Sequence, residues 1–147
     1  MSEIKHGLAW SDEYKLGNIQ VDTQHRRLFE LVSDLIDSCL NDCVVDNVKD
    51  TLDFLVNYTV QHFLDEEALQ LEYNYPDYVN HRQLHEDFKH TIGILVREYM
   101  ETGSSEILGD NINKTVVRWL INHIQREDRK IAEYIRGVRM GTSSDIR

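Results

Sequence analysis

Histidines and carboxylates recur in this chain at spacings that bring their side chains together. His62 and Glu66 stand at i and i+4, as do His81 and His85. On a helix each pair leaves from one face. His123 is followed by Glu127 at i+4 and Asp128 at i+5, and His25 lies on a further amphipathic segment. Polar groups on an apolar stripe must be paired or bound, because their desolvation is otherwise uncompensated. A lone histidine there is ordinarily a core residue hydrogen-bonded to a neighbour. Five of them, on the inward faces of four helices, point instead to metal. His90 falls opposite His81 on its helix, and His6 precedes the first helix. Neither is expected to be a ligand.

The donor set narrows the metal. Five imidazoles and their carboxylates exceed what one tetrahedral zinc takes. Calcium and magnesium prefer all-oxygen shells. Mixed imidazole and carboxylate donors suit iron, manganese or a similar ion, and about seven donors imply two ions bridged by carboxylates. None of the five stripe histidines has a glutamate three residues before it. That argues against the Glu-x-x-His pattern of ferritin-type di-iron sites. Glu66 is one bridging carboxylate. The second is open between Glu127, which regular helical geometry favours, and Asp128. Asp128 lies about 140° around the helix from His123 and would bridge only if the helix is locally distorted.

Four segments with helical hydrophobic periodicity must position these groups. The first spans about 22–40 and carries His25, Leu28, Val32, Leu35, Ile36 and Cys39. The second spans about 46–72, with Leu52, Leu55, Val56, Thr59, His62, Phe63 and Glu66 on its stripe. The third is predicted to open at Pro76, whose fixed φ suits a first helical turn, and to end at Gly103. The fourth starts between Ser105 and Asp110 and carries Ile112, Val116, Trp119, Leu120, His123, Ile124 and Ile131. The expected fold is all-α: an up-down-up-down antiparallel four-helix bundle. It forms one domain, 1–147, with the bundle at about 20–136. Residues 1–18 form an N-terminal arm anchored by Trp10, and 137–147 a polar tail.

Composition sets the outer bounds. A chain of 147 residues with 41% hydrophobic and 29% charged residues is a soluble globular balance. One proline and seven glycines agree with an all-helical chain. The net charge of -10 argues against nucleic acid and against an anionic membrane surface. No apolar run nears the ~20 residues of a membrane span. The N-terminal residues have no apolar core of a secretory signal, so a cytoplasmic location is expected. Cys39 and Cys43 share a helical face without a second pair, and read as reduced packing residues.

The ordered motifs Gln24-His25, His62-Phe-Leu-Asp-Glu66, His81-Arg-Gln-Leu-His85 and His123-Ile-Gln-Arg-Glu-Asp128 resemble the hemerythrin family, in particular its bacterial single-domain members. The resemblance covers about residues 10–135. It implies Asp128, not Glu127, as the second bridge. It implies one iron on His81, His85 and His123, and another on His25 and His62. Glu66, Asp128 and a solvent-derived oxygen would bridge them, and dioxygen would bind at the open position of the second iron. It also implies an apolar oxygen pocket formed by Leu28, Phe63, Trp119, Leu120 and Ile124.

The function expected on this resemblance is reversible dioxygen binding, for carriage, storage or delivery to an oxygen-using enzyme, with a reductase as a further partner. The chain is then a binding protein and not an enzyme. The alternatives are an oxygen or redox sensor acting through a separate partner, and a di-iron oxidase or peroxidase. The enzyme would want a proton donor beside the open iron, for which Gln24, Tyr58 and Thr59 are the polar candidates.

Overall fold

The computed structural model describes residues 8–40 and 45–144. His6, Cys43, the first part of the expected arm and the end of the tail lie outside the described residues. Three regular helices come first: α1 (Ile19–Leu40), α2 (Val45–Glu72) and α3 (Tyr78–Thr102). The fourth rod is continuous but changes its winding. It comprises α4 (Ser105–Asn111), a π-helical turn (Ile112–Val116), α5 (Val117–Asn122), a second π-helical turn (His123–Asp128) and α6 (Arg129–Ser144). The α1 helix packs against α2 and the fourth rod, and α3 packs against the same two from the other side. This is the up-down-up-down bundle that short connections between amphipathic helices favour.

Each helix is held in place by its buried stripe and its ends. On α1 the buried set is Val21, His25, Leu28, Val32, Leu35, Ile36 and Cys39, together with Phe29 and Leu31. Its first turn is capped by Asn18, whose Oδ1 accepts from Val21 N at 3.0 Å. Asp22 accepts from Leu16 N and Gly17 N, at 2.8 and 3.1 Å, and so ties the arm to the helix. Trp10 packs its ring edge-on to Phe29, with centroids 5.3 Å apart. Arg129 and Arg136 donate to the arm carbonyls of Glu13 and Leu16. At its far end α3 stops where Gly103 adopts φ 66° and its N–H donates to Tyr99 O. Ser104 then caps α4, accepting from Ile107 N at 3.2 Å.

Two boundaries differ from the sequence reading. Pro76 does not open the third helix. The chain reverses through Asn74 at φ 53°, a conformation asparagine tolerates. Pro76 falls in the turn that follows, and α3 begins at Tyr78. The fourth rod does not end near residue 136 but runs to Ser144. Just before residue 136, Ile131 and Ile135 are buried with Tyr75, and just after it the helix is tied down by Arg139. Arg139 lies over the Tyr73 ring and donates to its hydroxyl at 2.8 and 3.0 Å.

The α4 helix lies close against α1 at Gly109. A Cβ there would stand 2.6 Å from Cys39 Cβ and 3.0 Å from Leu40 Cδ2. Only glycine lets α4 lie this close to α1. The substitution Gly109→Ala forces the two helices apart and is predicted to cost about 1–3 kcal/mol. Urea unfolding of the two proteins checks this; equal midpoints would contradict the contact.

Candidate metal centre

Five imidazoles and two carboxylates meet in one layer of the bundle, and all seven residues are at most 5% exposed. His25 comes from α1, His62 and Glu66 from α2, His81 and His85 from α3, and His123 and Asp128 from the fourth rod. Glu66 sits at the centre. Its Oε1 lies 2.9 Å from His81 Nε2 and 3.1 Å from His85 Nε2, and its Oε2 lies 3.5 Å from His62 Nε2 and 3.6 Å from His25 Nε2. Asp128 repeats the arrangement across the site. Its Oδ1 is 3.1 Å from both His81 Nε2 and His123 Nε2, and its Oδ2 is 3.0 Å from His25 Nε2.

The second π-helical turn explains why Asp128 and not Glu127 faces inward. In a regular helix a residue at i+5 is rotated off the ligand face. Here the N–H of Arg129 reaches back to Ile124 O, the i→i+5 bond of a π-turn, often found at functional sites. The widened turn brings His123 and Asp128 onto one face. Glu127 is turned outward, with Lys130 Nζ 3.4 Å from its Oε2. His90 is exposed on the outer face of α3.

Two overlapping donor groups emerge among the described residues. Glu66, His81, His85, His123 and Asp128 converge on one point, and His25, His62, Glu66 and Asp128 on another. Both carboxylates belong to both groups. The first point is offered five donors and the second four, which suits two cations held together by two bridging carboxylates. The fit shows in atoms the protein leaves without a hydrogen bond. His25 Nε2, Glu66 Oε2 and Asp128 Oδ1 are buried and have no such partner, a costly arrangement unless something binds them.

A second layer of hydrogen bonds fixes the imidazole rings. His85 Nδ1 lies 2.8 Å from Glu67 Oε2. His62 Nδ1 lies 2.6 Å from Gln24 Oε1, whose own amide donates to Asp65 Oδ2 at 2.8 Å. Such contacts set the tautomer and leave Nε2 to face a metal. The role of Glu67 was not read from the sequence, although it sits beside Glu66. A bond between two helices leaves no trace in the spacing along one of them. Ring stacking adds rigidity. Phe63 lies flat on His85 at 3.8 Å, and Trp119 on His123 at 4.2 Å.

A narrow, mostly apolar cavity of about 30 Å³ reaches both donor groups. His25, His62, His123 and Asp128 form its polar end. Leu28, Phe63, Trp119 and Leu120 are in its wall, with aliphatic neighbours such as Val32 and Val116. Ile124, expected in this wall, is fully buried in the core but does not line the cavity. It follows His123 by one residue and is rotated off the ligand face. Thr59 does line the cavity, and its hydroxyl donates to Leu55 O. Tyr58 does not, and its ring stacks on Phe54.

The chain matches, over residues 17–135, the family described as Hemerythrin HHE cation binding domain. It belongs to the hemerythrin family. A bacteriohemerythrin of Stenotrophomonas maltophilia is 31% identical over 130 residues, covering 88% of this chain and 82% of that protein. A myohemerythrin of Theromyzon tessulatum is 30% identical, covering 87% of this chain and 93% of its own length. The crystal structure of a wild-type hemerythrin superposes with a TM-score of 0.76 at 25% identity, over 86% of this chain and 96% of the other. None of the described helices is long and apolar enough to cross a membrane.

The electrostatics of the metal-free site follow from this crowding. Burial disfavours charge on His25 and His81, but the two carboxylates outweigh it and raise their pKa values to about 9 and about 10. His62 has less carboxylate support, and burial lowers it to about 4. Burial also opposes the charged forms of Glu66 and Asp128, yet the surrounding imidazoles hold both below the usual carboxylate range. At pH 7.5 the metal-free site therefore carries protons on His25 and His81. Metal binding needs the neutral nitrogens and must expel those protons, so affinity rises with pH up to about 9–10. Anaerobic titration with ferrous ion in weakly buffered solution at pH 7.5 is predicted to release at least two protons per chain, one from each of these histidines. Release of none would mean that both are already neutral.

Proposed function

We propose that the chain binds dioxygen reversibly at a non-haem di-iron centre, and serves in oxygen carriage, storage or delivery to an oxygen-using enzyme. His81, His85 and His123 would hold one iron and His25 and His62 the other, and Glu66 and Asp128 would serve both. The observation that carries this reading is the asymmetry of the site. The point with fewer protein donors gives two of its own histidines, His25 and His62, to the apolar cavity, and the other point only His123. When bound, the irons supply the electrons and the open coordination position that reversible oxygen binding requires.

The chain's own residues do the rest. Glu67 and Gln24 hold His85 and His62 in the tautomers that present Nε2 inward. Leu28, Phe63 and Leu120 keep water from the polar end of the cavity. Exclusion of water and protons slows one-way oxidation of the iron. Beyond the metal-facing residues, the polar groups in the cavity wall are the Thr59 hydroxyl, which donates to the backbone, and the Trp119 indole. That wall lacks the acid or base that oxidase or peroxidase chemistry would use, which favours binding over turnover.

Two variants test the assignment. His85→Ala removes one donor from the three-histidine iron, and its iron content is predicted to fall below that of the parent protein. Leu120→Ser places a hydroxyl in the cavity wall. It is predicted to retain iron but autoxidise faster, by on the order of tenfold for ~1.4 kcal/mol of lost barrier. Full iron in the first variant, or an unchanged autoxidation rate in the second, would contradict the assignment of that residue.

A further inference from the structure

A small ligand must pass between solvent and the inner cavity. On the outside of the bundle, between α2 and α3, lies an apolar groove of about 340 Å³. Val56, Thr59 and Ile92 line this groove and also line the inner cavity. One layer of side chains therefore separates solvent from the space beside His25 and His62. All three are half-buried, so none is locked in place by complete burial. Gly93 widens the groove beside them, since a Cβ there would meet nothing within 4 Å. On the groove side the wall is carbon apart from the Thr59 hydroxyl and the Lys89 side chain.

A second candidate route is walled by large rings. A wider cleft between α3 and residues 114–127 of the fourth rod also touches the cavity, through Phe88, Trp119 and His123. These three rings form a continuous stack: Phe88 on Trp119 at 3.8 Å and 15°, Trp119 on His123 at 4.2 Å and 12°. Opening it would move large packed rings, one of them a proposed iron ligand. Opening the α2–α3 wall requires only rotation of small side chains.

We propose that the α2–α3 groove is the access port for dioxygen and other small neutral gases, with Val56, Thr59 and Ile92 as its gate. The proposal rests on the oxygen-binding reading for its purpose but not for its test. A port is apolar by function: it passes an uncharged diatomic molecule and turns back anions and hydrated species, so it selects the ligand before the iron meets it.

The test uses the full iron-loaded chain and two variants. Gly93→Phe fills the groove from an exposed helical position, where a larger side chain has room and also raises helix propensity. Ile92→Ala thins the gate. A barrier on the path alters association and dissociation alike, so Gly93→Phe is expected to slow both oxygen rate constants on the order of tenfold, with affinity and visible spectrum unchanged. Ile92→Ala is expected to speed both. The second readout needs no oxygen chemistry. Crystals held briefly under xenon should show the inner cavity filled in the parent protein and less filled in Gly93→Phe. Equal oxygen rates and equal xenon filling in the two would overturn the port and leave the ring-stacked cleft as the route. Should the parent protein fail to bind oxygen reversibly, the functional reading falls while the xenon comparison still decides the port.

Discussion

Two carboxylates buried among five imidazoles are the constraint on which this molecule is built. Glu66 and Asp128 are each about 2% exposed, in a bundle whose core is mostly aliphatic and aromatic. Isolated, either would be strongly disfavoured there. They are tolerated because imidazoles from all four rods surround them. The arrangement is stabilised further when cations replace the protons on His25 and His81. The bundle can thus be read as four amphipathic rods whose hydrophobic stripes are interrupted at one level, where charge is gathered and neutralised.

That interruption governs local structure as well. The fourth rod could have been a regular helix, and its apolar stripe would be satisfied by one. Instead it widens over His123–Asp128, which turns Asp128 inward and Glu127 out to Lys130. Regular winding would present the longer Glu127 side chain, or no carboxylate, at the second bridging position. Placing the shorter aspartate there sets how closely the fourth rod approaches Glu66. The earlier widening at Ile112–Val116 lies beside the apolar cavity, and Ile112 and Val116 are both in its wall.

Much of this was legible in the residues. The spacings His62/Glu66 and His81/His85 bring each pair to one face of any regular helix, and the apolar stripes fix which face is buried. What the spacing could not decide was Asp128 against Glu127, because the choice depends on a departure from regular winding. The family resemblance selected Asp128, and the π-turn supplies its physical cause. Other gaps had similar origins. Pro76 suits a first helical turn, but the αL residue at Asn74 pushed the helix start beyond it. The polar sequence after residue 136 gives no sign that Arg139 packs on Tyr73, which holds the helix from a distant turn. Ile124 reads as cavity wall on the expected stripe, but one residue after His123 it is turned off the ligand face into the core.

The central claim is that this centre takes up and releases dioxygen unchanged, and the most direct measurement is optical. The iron-loaded protein is reduced without oxygen, exposed to oxygen and then purged, over repeated cycles, with iron counted in the same sample. The account predicts two irons per chain and an absorption band that appears with oxygen and disappears on its removal. Absence of iron, or a single irreversible oxidation in the first cycle, would contradict it.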